Sequence, residues 1–192
     1  MHKLSNRDEN ISRFIANLAD LDAGERARFK RNAGNKIPEA HNALGLFYRT
    51  ALRDVHIPEY REETFFLVAT LFAFEKPAKD KSARPKKLPF AQAMRQIRTV
   101  HAKQSGGEKQ TKGLDKRMER LLDADRQQLP YYLRREVQFL ANEGRHIDWE
   151  QLLKDLLQWE NPERFVQRRW AREYFGSGWK TDDTAAVPYP DA

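Results

Sequence analysis

The sequence contains no cysteine. Disulfides, cysteine-based zinc sites and a thiolate nucleophile are therefore excluded. Long apolar runs are missing too: the most hydrophobic stretch, residues 64–74, is too short to cross a bilayer. The first ten residues are polar and charged, without the apolar centre of a signal peptide. A soluble, cytoplasmic protein with no membrane association is expected. Strand-like alternation is almost absent.

Chemistry-bearing motifs are equally scarce. The five histidines, His2, His41, His56, His101 and His146, are scattered, and none has the spacing of a helical zinc motif. The glycine-containing stretch 106–113 lacks the residue order of a phosphate-binding loop and follows no apolar strand. Ser177 lies between two glycines without the flanking strand of a nucleophile elbow. Asp123 and Asp125 could in principle share a Mg²⁺ ion or a proton, but paired acids at a helix end more often cap and solvate it. No catalytic residue, metal site or cofactor is expected.

What the chain does have is a core and an excess of positive charge. Forty per cent of its 192 residues are hydrophobic and 11% aromatic, enough to bury a helical interior. Thirty-five Lys and Arg oppose 28 Asp and Glu, a net charge of +7. That balance favours polyanionic partners, because each neutralised phosphate releases counterions.

Apolar residues recur at helical spacing, which predicts an all-α fold of about nine helices. Ile11, Phe14, Ile15 and Leu18 mark the first. Asp22 with Glu25 reads as a capping box opening the second, which ends at Lys30-Arg31. Pro38 opens a third through Leu44, Phe47 and Leu52, and Pro58 opens a fourth, apolar nearly all round. Residues 76–88 carry six basic residues, one acid and two prolines, and read as a basic linker loop. A fifth helix starts near Pro89, and polar residues 101–113 end it. A sixth starts near Leu114. Leu133, Val137 and Leu140 mark a seventh closed by Asn142 and Gly144, and Asp148 caps an eighth. A ninth runs from Asn161-Pro162 to Gly176. The expected organisation is two small helical bundles, 1–75 and 89–176, joined by the basic loop 76–88, with a disordered tail at 177–192.

Basic residues are spread over at least four of these helices. On the ninth, Arg164, Arg168, Arg169 and Arg172 share an arc with Phe165, opposite Val166, Trp170 and Tyr174. Such an arc could grip phosphates while the ring stacks on a base. The spread fits a surface that tracks a nucleic-acid backbone better than one recognition helix reading base edges. A free-standing helical DNA-binding regulator and a metal-dependent nuclease using Asp123 and Asp125 remain as alternatives.

Several runs resemble the CasB family, the small subunit of the type I-E CRISPR Cascade complex. They are Arg120-Leu121-Leu122-Asp123-Ala124-Asp125-Arg126, Leu133-Arg134-Arg135, Ile147-Asp148-Trp149 with the leucine-rich stretch 152–159, and Gln167-Arg168-Arg169-Trp170-Ala171-Arg172. Asp22 to Arg31 and Pro89 to Arg95 carry a thinner likeness. Family members often have Arg-Arg where this chain has Lys30-Arg31, which keeps the charge but loses one guanidinium fork. The resemblance implies a non-catalytic helical subunit in antiviral defence. Its partners would be guide RNA, target DNA with its displaced strand, other Cascade subunits and a second copy of itself, head to tail. It further implies R-loop stabilisation by sequence-independent backbone contacts. The residues expected to make them are Lys30, Arg31, Arg98, Lys116, Arg117, Arg126, Arg134, Arg135, Arg169 and Arg172.

Overall fold

A computed structural model describes residues 6–75, 86–104 and 107–176. The first apolar stripe forms helix α1 (Asn6–Ala19), in which Ile11, Phe14, Ile15 and Leu18 are all buried. Helix α2 (Ala23–Arg31) opens on the expected capping box: Glu25 N–H donates to Asp22 Oδ1 at 2.8 Å, and Asp22 N–H donates to Glu25 Oε2 at 3.2 Å. Asn32 ends it, its side-chain amide donating to the carbonyls of Arg28 and His41 while its oxygen accepts from His41 N–H.

The predicted third helix is not continuous. Pro38 sits in a short 3-10 turn, Ile37–Glu39, and helix α3 (Leu44–Leu46) passes directly into a π-helical turn, Phe47–Ala51. The widened turn is held from outside. Buried Asn17 of α1 donates to the carbonyls of Ala51, at 3.1 Å, and Arg53, at 2.8 Å. Helix α4 (Glu59–Phe72) is central: residues 65–72 are buried on every side, and Phe65 and Phe66 meet Phe14, Phe29 and Phe47 edge-on.

Most of the predicted basic loop, residues 76–85, lies outside the described residues. Its last two residues are a correction: Lys87–Leu88 forms strand β1, paired in parallel with β2 (His146–Ile147). Leu88 is buried and its carbonyl accepts from Asp148 N–H at 2.8 Å, so burial and pairing override the turn-forming composition. Helix α5 (Phe90–Ala102) follows, then helix α6 (Gly107–Leu122), which begins seven residues before the predicted start at Leu114. The polar composition of residues 101–113 reads as a break, yet Gly113 lies within the helix. Packing of α6 on α5 outweighs the propensity cost of about 1 kcal/mol for a helical glycine.

Helix α7 (Leu129–Asn142) closes as predicted. Gly144, at φ +68°, lets Gly144 N–H reach the Ala141 carbonyl and Arg145 N–H reach Leu140, a Schellman ending. Asp148 caps helix α8 (Trp149–Leu156) by accepting from Gln151 N–H at 3.0 Å. Helix α9 (Phe165–Phe175) starts later than Asn161-Pro162, because Arg164 is left-handed at φ 48° and turns the chain before the helix begins. The predicted tail, 177–192, lies outside the described residues.

The buried residues before and after the basic segment form one cluster. Phe72 packs on Trp149 at 5.2 Å between ring centroids. Glu75, just beyond α4, pairs with His146 Nδ1 and accepts from Trp149 Nε1 at 3.1 Å. Ser12 donates to Glu150, and Lys154 pairs with Asp8, tying α8 to α1.

Three acids hold the later helices together. Asp115 of α6 accepts a bidentate bond from Arg98 of α5, at 2.7 and 3.2 Å, and a third from the Tyr174 hydroxyl of α9 at 3.0 Å. The bond to Asp115 holds Arg98 more firmly protonated than usual, and burial, then that same carboxylate, pushes the Tyr174 hydroxyl up. Glu136 of α7, 2% exposed, is clasped by Arg117 of α6, with Nε at 2.9 Å from one oxygen and Nη2 at 2.8 Å from the other. Asp155 of α8, also 2% exposed, accepts from Gln151, from Trp170 Nε1 at 2.7 Å, and from Arg169. Charged groups this deep persist only when paired and hydrogen-bonded.

Asp155→Ala removes a buried acceptor shared by an indole and a guanidinium. Urea denaturation is expected to show a loss of about 3–5 kcal/mol. A second expectation concerns pH. Burial holds the Glu136 carboxyl above its usual 4.5, against the pull of Arg117. A carboxyl raised on folding contributes stability that is full below about pH 4.5 and is lost as pH rises through the folded value. The stability of the parent minus that of Glu136→Gln should therefore be larger near pH 4.5 than near neutrality. Denaturation at the two pH values measures it, and a gap that widens with pH contradicts it.

Candidate nucleic-acid interface

Among the ten predicted contact residues, three point their charge inward. Arg98 is bound to Asp115, Arg117 to Glu136, and Arg169 to Asp155 with Glu173 4.0 Å away. Arg98 and Arg117 also lie over the rings of Tyr174 and Phe139. These side chains fasten helices to one another. Trading such a partner for a phosphate would leave a carboxylate buried without its counter-charge.

The other seven, Lys30, Arg31, Lys116, Arg126, Arg134, Arg135 and Arg172, are exposed. Lys30 and Arg31 end α2, where a cation also suits the helix dipole, and Arg134 and Arg135 lie on the outer face of α7. The turn that follows the first pair packs on the helix that carries the second. Residues 32–34 turn sharply, with Gly34 at φ +82°, and settle on α7. A β-carbon at Gly34 would stand 3.3 Å from Arg134 Cδ and 3.4 Å from the Pro130 carbonyl, so glycine is required for both conformation and space. Lys30 Nζ sits 5.1 Å over the ring of Phe74, and Arg135 sits 5.8 Å from the ring of Tyr131. None of the four cations is ion-paired with a carboxylate among the described residues.

Beside this patch a cleft of about 290 Å³ opens between the 35–36 segment, α4 and the start of α7. Its floor is Leu67, Leu129, Pro130 and Leu156, and its cations are Lys36 and Arg126. Arg126 meets Glu160 at 3.1 Å, with both side chains 59% exposed. A solvent-exposed pair contributes at most about 1 kcal/mol, so it can exchange its partner readily. Lys116 and Arg172 stand on the outer faces of α6 and α9.

The ninth helix differs from its predicted basic arc. Arg164 precedes the helix and reaches back to the Leu122 carbonyl at 2.8 Å and to Asp123 at 3.4 Å, satisfying the end of α6. Phe165 is half-buried against the core rather than offered to solvent. The two acids of the nuclease alternative are used locally. Asp123 meets Arg164, and Asp125 accepts from Gln127 and Gln128 N–H at 2.9 and 2.8 Å, starting the turn into α7. No cluster of three or more His, Asp or Glu suited to a metal ion occurs among the described residues, and none of their helices is long and apolar enough to cross a membrane.

Two residues of this surface were missed in the sequence. Lys36 sits in a polar break that gave no periodicity to read. Tyr131 had a usable signal: Leu133, Val137 and Leu140 face the core, so helical geometry places residues 131, 134, 135 and 138 on the opposite side.

Comparison with known proteins agrees with this architecture. A family model described as CRISPR-associated protein Cse2 matches residues 25–175. A curated CRISPR-associated protein Cse2 from Thermus thermophilus is 52% identical over 65 residues, 34% of this chain and 37% of that protein's length. The crystal structure of CasB from M. ruber superposes with a TM-score of 0.66 at 26% identity, covering 90% of this chain and 94% of that one. A chain of a CRISPR RNA-guided surveillance complex superposes with a TM-score of 0.64 at 22% identity, covering 88% and 92%. With the family model matching residues 25–175, the chain belongs to the CRISPR-associated Cse2 family, also called CasB.

Proposed function

We propose that this protein is the small subunit of a type I-E Cascade surveillance complex, where it steadies the R-loop without catalysing any step. The observation that carries the reading is the exposed patch of Lys30, Arg31, Arg134 and Arg135, assembled from two distant segments in a chain of the Cse2 family. The solved surveillance complex with a chain of the same fold supports it. Guide pairing supplies sequence specificity, and exchanging a DNA duplex for an RNA–DNA heteroduplex is nearly balanced in energy. Cations that bind phosphates without reading bases can tip that balance toward the open state.

The proposed contacts fall on the exposed cations Lys30, Arg31, Lys116, Arg126, Arg134, Arg135 and Arg172. Their partners are the guide RNA, the target DNA and the displaced strand. Neighbouring Cascade subunits and a second copy of this chain, head to tail, would share the remaining surface. Binding by the isolated chain is weak, sensitive to salt and indifferent to sequence. A free-standing regulator would instead give a sequence-specific footprint by itself.

Reconstituted complexes carrying Lys30→Ala/Arg31→Ala or Arg134→Ala/Arg135→Ala test the reading. Each pair is expected to weaken target binding by roughly 2 kcal/mol and to lower protection of the displaced strand at physiological salt. Chain folding and complex assembly should be retained, since these side chains are exposed. Unchanged affinity and protection in both complexes would refute the assignment.

A further inference from the structure

One face of α7 carries more than charge. Tyr131, Arg134, Arg135, Gln138 and Asn142 follow one another at helical spacing, and all are exposed. The face contains no acid, and at 1.5 Å per residue it runs for about 16 Å. Glu136, beside Arg135 in sequence, points into the core and is held by Arg117, and the exposed Glu143 stands just beyond the far end of the face.

Tyr131 is 61% exposed, on a helix whose opposite side is buried. Its surroundings differ from those of the other exposed tyrosines. Tyr48 donates to Glu62 at 2.6 Å, and Tyr60 lies in the acidic first turn of α4 with Glu59 and Glu62. A phosphate chain approaching either would meet carboxylates. Around Tyr131 it meets Arg135, whose guanidinium carbon is 5.8 Å from the ring centroid, then Arg134 and, across Gly34, the end of α2. Tyr132 touches the ring edge-on at 5.3 Å between centroids and so helps fix its orientation.

We propose that Tyr131 is a stacking platform for an unpaired base, with Arg134 and Arg135 holding the flanking phosphates. Gln138 and Asn142 extend the track with amides that accept or donate to whichever base edge passes. Stacking tolerates any base, since each has a π-face, and it acts only where the strand is single. The platform therefore gives a sequence-blind basic surface a preference for unpaired nucleotides over duplex. This inference rests on the proposed nucleic-acid role and names the form of strand that the patch prefers.

The test uses the full chain with two fluorescent single-stranded DNAs of equal length, one of mixed sequence and one built of abasic sites, at about 50 mM salt. Tyr131→Ala is expected to weaken binding to the mixed strand by roughly tenfold and to leave the abasic strand unchanged. Tyr131→Phe should bind as the parent does. Arg134→Ala/Arg135→Ala should weaken both strands and reduce the salt dependence by roughly 1.4 in log–log slope. Equal effects of Tyr131→Ala on both strands, or none on either, overturn the platform while leaving the phosphate surface standing. So does a variant that binds both strands normally but fails to enter the assembled complex, which would make Tyr131 a protein contact. If the parent binds neither strand, or the arginine pair changes neither, the nucleic-acid reading itself fails.

Discussion

Asp115, Glu136 and Asp155 decide what the rest of the surface can be. Glu136 and Asp155 are buried between helices and Asp115 is half-buried, and each is paired with a cation, because a lone carboxylate there is far costlier than a paired one. Arg98, Arg117 and Arg169 are the cations they bring, and the helix pairs α5–α6, α6–α7 and α8–α9 are joined where these pairs form. The net charge of +7 is therefore not a smooth coat. Interior acids claim Arg98, Arg117 and Arg169, whereas Lys30, Arg31, Arg134 and Arg135 are exposed and meet no carboxylate among the described residues.

The second constraint is the central helix. Because α4 is buried on every side from 65 to 72, it must be wrapped by segments from both ends of the chain. Aromatic rings of α1, α2 and the π-helical turn cover one part of it, and α7 and α8 cover others. Wrapping one helix from both sides seats the turn after α2 on the start of α7, where Gly34 lies against Arg134 and Pro130. The basic patch is thus a consequence of core packing.

Features fixed by neighbouring residues were legible in the sequence, and features fixed by distant ones were not. The Asp22–Glu25 box, the Asp148 cap and the Gly144 ending satisfy backbone groups a few residues away, so their residue types sufficed. The π-helical turn depends on Asn17, more than thirty residues earlier, and the late start of α9 depends on Arg164 reaching Leu122. For the proposed site, the sequence pointed to basic side chains but could not sort inward arginines from outward ones. A partial signal existed: Glu136 lies inside the stripe of Leu133, Val137 and Leu140, and Asp155 lies among Leu152, Leu153 and Leu156. An acid within an apolar stripe demands a partner, and for Glu136 and Asp155 the cation comes from a neighbouring helix.

That sorting also separates two kinds of arginine that composition treats alike. Arg126 and Arg98 both touch a carboxylate at close to hydrogen-bond distance. The Arg126–Glu160 pair is open to water, contributes little, and can yield to a phosphate without leaving anything stranded. Arg98 holds Asp115 bidentately beneath Tyr174, whose hydroxyl shares the same oxygen, so withdrawing it would unpair a junction of three helices. Phosphate binding that depends on counterion release needs cations whose existing partners are weak. By that criterion, the proposed contact surface runs from α2 across Gly34 to α7 and the nearby turn at Arg126, while the inward pairs join the helices beneath it.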